Sequence, residues 1–228
     1  MSTAILETHG IGAVYGTRRR PLTVLHPTDV ALHAGESVAV IGRSGAGKST
    51  LAEIILGLRL ASTGHVTVHG ELFCGAGRAP QAHRRRLVQG IPQDAGASLP
   101  PRVAVRTSIE RALARLGVDG DPGARIAAAA EIARLEPELL DRTPRQLSGG
   151  QAQRAAIARA VAVGPDAIVA DEPTSALDPS TSADLAEALL GLPARTGGAL
   201  LVVTHDDALA AGCDRTLTVR DGVVEQAR

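Results

Sequence analysis

The octapeptide Gly42-Arg43-Ser44-Gly45-Ala46-Gly47-Lys48-Ser49 limits what this chain can fold into more than any other feature. It follows the apolar run Ser37-Val38-Ala39-Val40-Ile41 and precedes a helical pattern over residues 48–58. A strand that turns through glycines directly into a helix, with the pattern GxxxxGK[ST], reads as a phosphate-binding loop. The glycines let the backbone curl so that N–H groups face an anion, and the helix dipole adds to their pull. In this setting Lys48 reaches the outer phosphates of a nucleotide and the Ser49 hydroxyl binds Mg²⁺. Thr50 completes the turn, so residues 42–50 form the candidate nucleotide-binding set.

The rest of the chain supplies the sheet that such a loop needs. Residues 22–41 read as strands, 65–68 as a short strand after a turn at 61–64, and 167–171 and 199–203 as buried aliphatic strands. Helical patterns fall at 152–163 and 180–190. Two short strands, 216–219 and 223–225, flank Arg220-Asp221-Gly222, a hairpin turn signal. Residues 74–101 are rich in Gly, Pro and Arg and read as loop, with a short helix over 82–87. Residues 103–140 are Ala/Leu/Arg/Glu-rich helical segments broken at 117–123, an all-helical insert. Aliphatic strands alternating with helices predict an α/β fold with a mainly parallel sheet covered on both faces. Ligands of such sheets bind at the C-terminal strand edge. Three strands end there in polar residues: Gly42, Asp171-Glu172 and Thr204-His205-Asp206.

Those strand ends carry candidate chemistry. Asp171 is positioned to hold Mg²⁺, and Glu172 to orient or deprotonate an attacking water. His205 is placed to contact a terminal phosphate. Gln93, in the Pro/Gly-rich loop, offers an amide oxygen to Mg²⁺ or its water. The Tyr15 ring offers a face to adenine. Read singly, each has a plainer alternative: a solvated acid pair, a strand or helix cap, a loop residue, a packed turn residue. Leu147-Ser148-Gly149-Gly150-Gln151 opens the helix predicted after it. Two glycines and a hydroxyl expose N–H groups that suit an anion, or simply make a tight helix start. Arg18-Arg19-Arg20 and Arg84-Arg85-Arg86 read as solvated faces.

Composition excludes several classes. Lys+Arg and Asp+Glu number 24 each, so no basic field argues for a nucleic-acid partner. The two cysteines, Cys74 and Cys213, form no metal-ligand pattern and no disulfide framework. No apolar run approaches the roughly 18–20 residues that span a bilayer, and residues 1–7 lack the pattern of a signal peptide. A role at a membrane would be exerted from the cytoplasmic face, through partners.

Taken in order along the chain, these motifs resemble the ATP-binding domain of ABC transporters. The aromatic A-loop (Tyr15), Walker A (residues 42–49), Q-loop (Gln93), signature (residues 147–151), Walker B (residues 168–171) with Glu172, D-loop (Ser175-Ala176-Leu177-Asp178) and switch histidine (His205) follow the family's sequence. The stretch Gln93-Asp94-Ala95-Gly96-Ala97-Ser98-Leu99-Pro100-Pro101-Arg102-Val103 is similar to the extended Q-loop of the peptide and nickel importer subfamily. Pro92 and Pro100 depart from it, where an aromatic and an asparagine are usual. Without the long C-terminal extension of peptide-importer subunits, the chain is more similar to nickel-type subunits.

The resemblance implies a P-loop NTPase fold: a core of residues 1–90 and 164–228, N-terminal antiparallel strands, and a helical subdomain over 95–163. It implies ATP and Mg²⁺ as cofactors, with Ser49, Gln93 and Asp171 at the metal and Glu172, His205 and Lys48 in catalysis. It implies head-to-tail pairing with a second ATPase subunit, identical or paralogous, in which Ser148, Gly149, Gly150 and Gln151 cover the partner's ATP. Two membrane permeases would dock near Gln93, with an extracytoplasmic solute-binding protein as an indirect partner. Accessory ATPases of phosphonate-degrading machinery and exporter ATPases carry the same motifs and are the alternatives.

Overall fold

A computed structural model describes residues 4–17 and 20–226. Arg18 and Arg19 of the first arginine tract, and the first three residues of the N-terminus, lie outside the described residues. Strands β1 (Ala4–Thr17), β2 (Arg20–Thr28) and β3 (Ala31–His33) lead to β4 (Ser37–Ile41) and then helix α1 (Lys48–Ile55). β5 (Thr63–Val68), β6 (Glu71–Gly75) and β7 (Val88–Ile91) precede a helical run of α2 (Ala95–Ser98), α3 (Val105–Arg115), α4 (Pro122–Ile132) and α5 (Gly149–Ala162). The chain then alternates through β8 (Ala167–Asp171), α6 (Pro179–Leu190), α7 (Leu192–Thr196), β9 (Ala199–Val203) and α8 (Asp207–Ala211). It closes on the hairpin of β10 (Arg215–Arg220) and β11 (Val223–Gln226).

Two sheets result. One is antiparallel, in the order β2-β1-β5-β6, with β3 also paired to β1. The other runs β11-β10-β4-β9-β8-β7, parallel throughout except for β11. Side chains alternate across a strand, so each parallel strand divides its residues between two cores. Val38, Val40, Val169, Leu201 and Val203 face α1 and the antiparallel sheet. Ala39, Ile168, Ala170, Leu200 and Val202 face α5, α6 and the helical run. This two-sided burial explains why β8 and β9 read as unbroken aliphatic runs. With one Phe in the chain, the cores are aliphatic, and Phe73 is buried among the residues facing α1.

The structure departs from the sequence reading in several places, among them β1 and β6, which it adds. The stretch predicted as loop over 74–101 contains β7, an edge strand of the parallel sheet. Val88 and Ile91 are its buried residues, and Gly90 is small because an added Cβ would press on the Leu56 side chain at 3.2 Å. The helix predicted to reach 58 ends at Ile55, and Gly57 then takes φ +64°. Tyr15 lies within the long strand β1, so the packed-turn alternative does not describe it. The break at 117–123 is where the sequence put it. Gly117 and Gly120 adopt positive φ, and Asp121 caps α4 through the N–H groups of Gly123 and Ala124.

Candidate nucleotide site

Register brings the polar strand ends to one rim. Val40 pairs with Val203, and Val203 pairs with Asp171. The residues just beyond these, Gly42, Glu172 and His205, therefore emerge together at the C-terminal edge, where parallel sheets bind ligands. They line a cleft of about 480 Å³ with Ser44, Gly45, Gly47, Lys48 and Ser49. Thr50 and Gln93 complete its wall.

The loop's shape depends on its glycines. A Cβ on Gly42 would lie 2.3 Å from the Val219 carbonyl oxygen, and one on Gly47 would lie 2.6 Å from that of Val24. Gly47 holds φ +110° as the N-cap of α1. Helices α4, α5, α6 and α8 are capped by Asp121, Ser148, Asp178 and Asp206. α1 has no side-chain cap and no acid in its first turn, which leaves its N–H groups to an anion. Lys48 is buried at 8 % exposure, and its Nζ donates to the carbonyls of Gly42 (2.8 Å) and Arg43 (3.2 Å). The ammonium is thus held inside the loop, where an incoming phosphate would meet it.

Ser49 Oγ donates to Asp171 Oδ1 at 3.3 Å. Burial pushes the Asp171 carboxyl above its ordinary pKa, and the carboxylates of Glu172 and Glu53 push the same way. No group of three His, Cys, Asp or Glu side chains among the described residues forms a metal site by itself. One hydroxyl and one half-buried carboxylate, both hard oxygens, are what Mg²⁺ takes from a protein when phosphates and waters supply the rest. The donor set therefore fits that ion. Glu172 follows at φ +48°, an uncommon conformation for a non-glycine residue and one that concentrates at functional sites. Its backbone extends the β8–β9 ladder by donating to Val203 O at 2.8 Å. Its Oε2 lies 2.5 Å from His205 Nδ1.

Other sequence candidates lie outside the cleft lining. Arg43 and Ala46 line a neighbouring hollow, against Thr218 to Asp221, that shares Gly42, Ser44 and Gly45 with the cleft. Tyr15 meets the site through its hydroxyl, 3.2 Å from Thr50 Oγ1. Residues 148–151 take no part in the cleft. Ser148 and Gln151 form a capping box on α5, and the Ser148 O–H remains able to donate while its oxygen accepts the Gln151 N–H. Gly150 is dictated by packing: a Cβ there would lie 2.4 Å from Thr181 Cγ2.

Sequence reasoning missed two residues that hold the Gln93 loop. Gln153 is 3 % exposed, and its amide donates to Pro92 O at 3.2 Å. Arg159 donates to Ser98 O at 2.8 Å. Both stand on α5, so one helix grips the loop on either side of Gln93. The available signal was a Gln on the buried stripe with Ile157, Ala160 and Val161.

A glycine-lined anion cradle ahead of an uncapped helix, beside paired acidic and imidazole groups at a parallel strand edge, defines a P-loop nucleotide-binding ATPase. Comparison with known proteins makes the class specific. The family model described as "ABC transporter" matches residues 25–175, and the chain belongs to that family. The nickel import ATP-binding protein NikE of Rhodospirillum rubrum is 41 % identical over 209 residues, covering 90 % of this chain and 76 % of NikE. The lipoprotein-releasing system ATP-binding protein LolD of a Ruegeria species is 38 % identical, covering 98 % of this chain and 99 % of LolD. Among solved structures, the dimeric post-hydrolysis state of the ATP-binding cassette MJ0796, bound to ADP and Pi, superposes with a TM-score of 0.83 at 28 % identity. It covers 98 % of this chain and 99 % of its own. The chain is accordingly an ATP-binding, ATP-hydrolysing subunit of a transporter.

Proposed function

We propose that this chain powers an importer for nickel-type metal complexes or short peptides from the cytoplasmic face of the membrane. Two membrane permeases and an extracytoplasmic solute-binding protein would complete the system. The observation that carries the catalytic part is the single cleft uniting Lys48, Ser49 and the Glu172–His205 pair. In this reading the N–H groups of residues 43–50 and the Lys48 ammonium bind the phosphates, and Tyr15 stacks on adenine. Ser49, Asp171 and Gln93 hold Mg²⁺ or its waters, which would neutralise phosphate charge. Glu172 accepts a proton from water, and His205 orients that carboxylate while meeting the terminal phosphate. Ser148, Gly149, Gly150 and Gln151 lie outside this chain's own cleft, so the Ser148 hydroxyl and the glycine N–H groups serve the ATP of a partner subunit placed head to tail, with Gln151 holding the capping box. Loss of the terminal phosphate removes the charge that holds the pair shut.

We further propose that residues 95–163 form a helical subdomain set into a core of 1–90 and 164–228. A groove of about 830 Å³ lies between the core residues Ala52, Leu56 and Gln89 and the helical residues Ala112 and Leu116. This groove, beside Gln93, would receive the permeases. NikE-type relatives at 33–41 % identity support import of nickel. The LolD relative favours a second reading, an ATPase of a lipoprotein-releasing system. Nickel uptake by cells with and without this chain tests the first reading: loss of energy-dependent uptake supports it. Unchanged uptake with lipoproteins retained in the inner membrane would replace it with the second.

A further inference from the structure

Tyr15 is held by a residue that none of the motifs contains. The Arg59 guanidinium lies over the Tyr15 ring, 4.9 Å from its centroid, well within cation–π range. Arg59 is itself fixed twice to one residue of α1. Its Nε donates to Glu53 Oε2 at 2.6 Å, and its backbone N–H donates to Glu53 O at 3.2 Å. The Leu58 N–H donates to the same carbonyl at 2.9 Å, tightening the turn that carries Arg59 back along the helix. The Tyr15 hydroxyl meets Thr50 at the opposite end of α1. One ring is thereby pinned at its face by Arg59 and at its tip by Thr50, both anchored on the helix that follows the phosphate loop.

An aromatic ring has two faces, and Arg59 occupies one. Near the end of β1, where among the described residues the Tyr15 backbone pairs with Leu22 of β2, the ring would sample more rotamers without Arg59. A stacking platform gives more affinity when its orientation is set before the base arrives. We propose that Arg59, held by Glu53, is a positioning residue that backs Tyr15 and presents its free face to the nucleotide base. The proposal rests on the reading of Tyr15 as the base-stacking residue. Because Glu53 neutralises the guanidinium, Arg59 acts on the base through the ring and leaves triphosphate binding alone.

The test is nucleotide affinity in the full chain. Dissociation constants for Mg·ATP and for inorganic tripolyphosphate, which has no base, are measured for the wild type, Arg59→Ala, Arg59→Lys, Tyr15→Ala and the Arg59→Ala/Tyr15→Ala pair. Arg59→Ala is expected to weaken ATP about two- to five-fold, the size of an exposed cation–π contact. It should raise KM without lowering kcat and leave tripolyphosphate binding unchanged. Arg59→Lys should recover most of the loss, and Arg59→Ala should add nothing once Tyr15 is alanine. If Tyr15→Ala weakens ATP while Arg59→Ala does not, or if Arg59→Ala weakens tripolyphosphate equally, the proposal fails and the stacking role of Tyr15 stands. If Tyr15→Ala leaves ATP affinity unchanged, both fall.

Discussion

His205 Nδ1 sits 2.5 Å from Glu172 Oε2, joining the residue just past β9 to the residue just past β8. With Nδ1 donating to the carboxylate, the ring leaves Nε2 for another partner. Glu172→Gln keeps the shape but removes the basic carboxylate. The expected outcome is ATP binding at wild-type affinity, turnover lowered by about 10²-fold or more, and a dimer that persists in ATP. His205→Ala should lower turnover while leaving ATP affinity nearly intact. Steady-state phosphate release and light scattering with ATP check both; near-normal turnover in Glu172→Gln would remove Glu172 from the catalytic role.

Gly150 faces Thr181 across the start of α5 and α6, and an alanine methyl there would meet Thr181 Cγ2 at 2.4 Å. Gly150→Ala should therefore shift the 148–151 turn and depress ATPase activity with little change in ATP affinity. Thr181→Ser removes the opposing methyl, so the double variant should regain part of the activity. Activity assays on the two single variants and the pair read this directly.

The buried amide of Gln153 satisfies Pro92 O. Gln153→Leu would leave that carbonyl without its partner, at a cost of about 1–3 kcal/mol. It would also loosen the loop bearing Gln93. Denaturant unfolding should show the lost stability. Turnover should fall more than ATP affinity, because the phosphate cradle at residues 42–50 is untouched.

Asp214 accepts the Ser37 hydroxyl at 2.7 Å and the Ser37 N–H at 2.8 Å, tying the start of β10 to that of β4. These bonds, the hydroxyl first, hold its carboxyl below the ordinary carboxylate range. A depressed folded-state pKa stabilises fully above the unfolded value of about 3.9 and is lost as pH falls through the folded value. Asp214→Ala should thus cost stability at pH 7, about 1 kcal/mol given the exposed carboxylate. The gap from wild type should narrow below about pH 4. Urea unfolding midpoints across that pH range measure it.

What the sequence revealed depended on how far each element stands by its own residues. The phosphate loop, β8 and β9 were readable because glycine spacing and two-sided burial leave unmistakable patterns at Gly42 to Ser49 and in Ile168-Val169-Ala170. β7 was lost because Val88-Gln89-Gly90-Ile91 is four residues long, carries a glycine, and sits between an arginine tract and Pro92. Its pairing with β8 comes from tertiary contact alone. Arg59 lies beyond the end of the helix that positions it, so its place over Tyr15 depends on a turn closed by the Glu53 carbonyl. No pattern of spacing encodes that closure. Residues 148–151 read from the sequence as an anion-binding or simply tight helix start, and the cleft lined by Lys48, Gln93, Glu172 and His205 leaves them out.

In the proposed head-to-tail pair each ATP is served by Lys48 and Glu172 of one subunit and Ser148 of the other, and mixing two inactive variants tests this most directly. Lys48→Ala should be inactive for want of a phosphate cradle, and Ser148→Arg for want of a covering signature. In a mixed dimer, one site combines the intact cradle of the Ser148→Arg chain with the intact signature of the Lys48→Ala chain. An equimolar mixture should recover about a quarter of wild-type ATPase activity, since half the dimers are mixed and each has one sound site of two. A mixture no more active than the sum of its separate components would contradict the shared site.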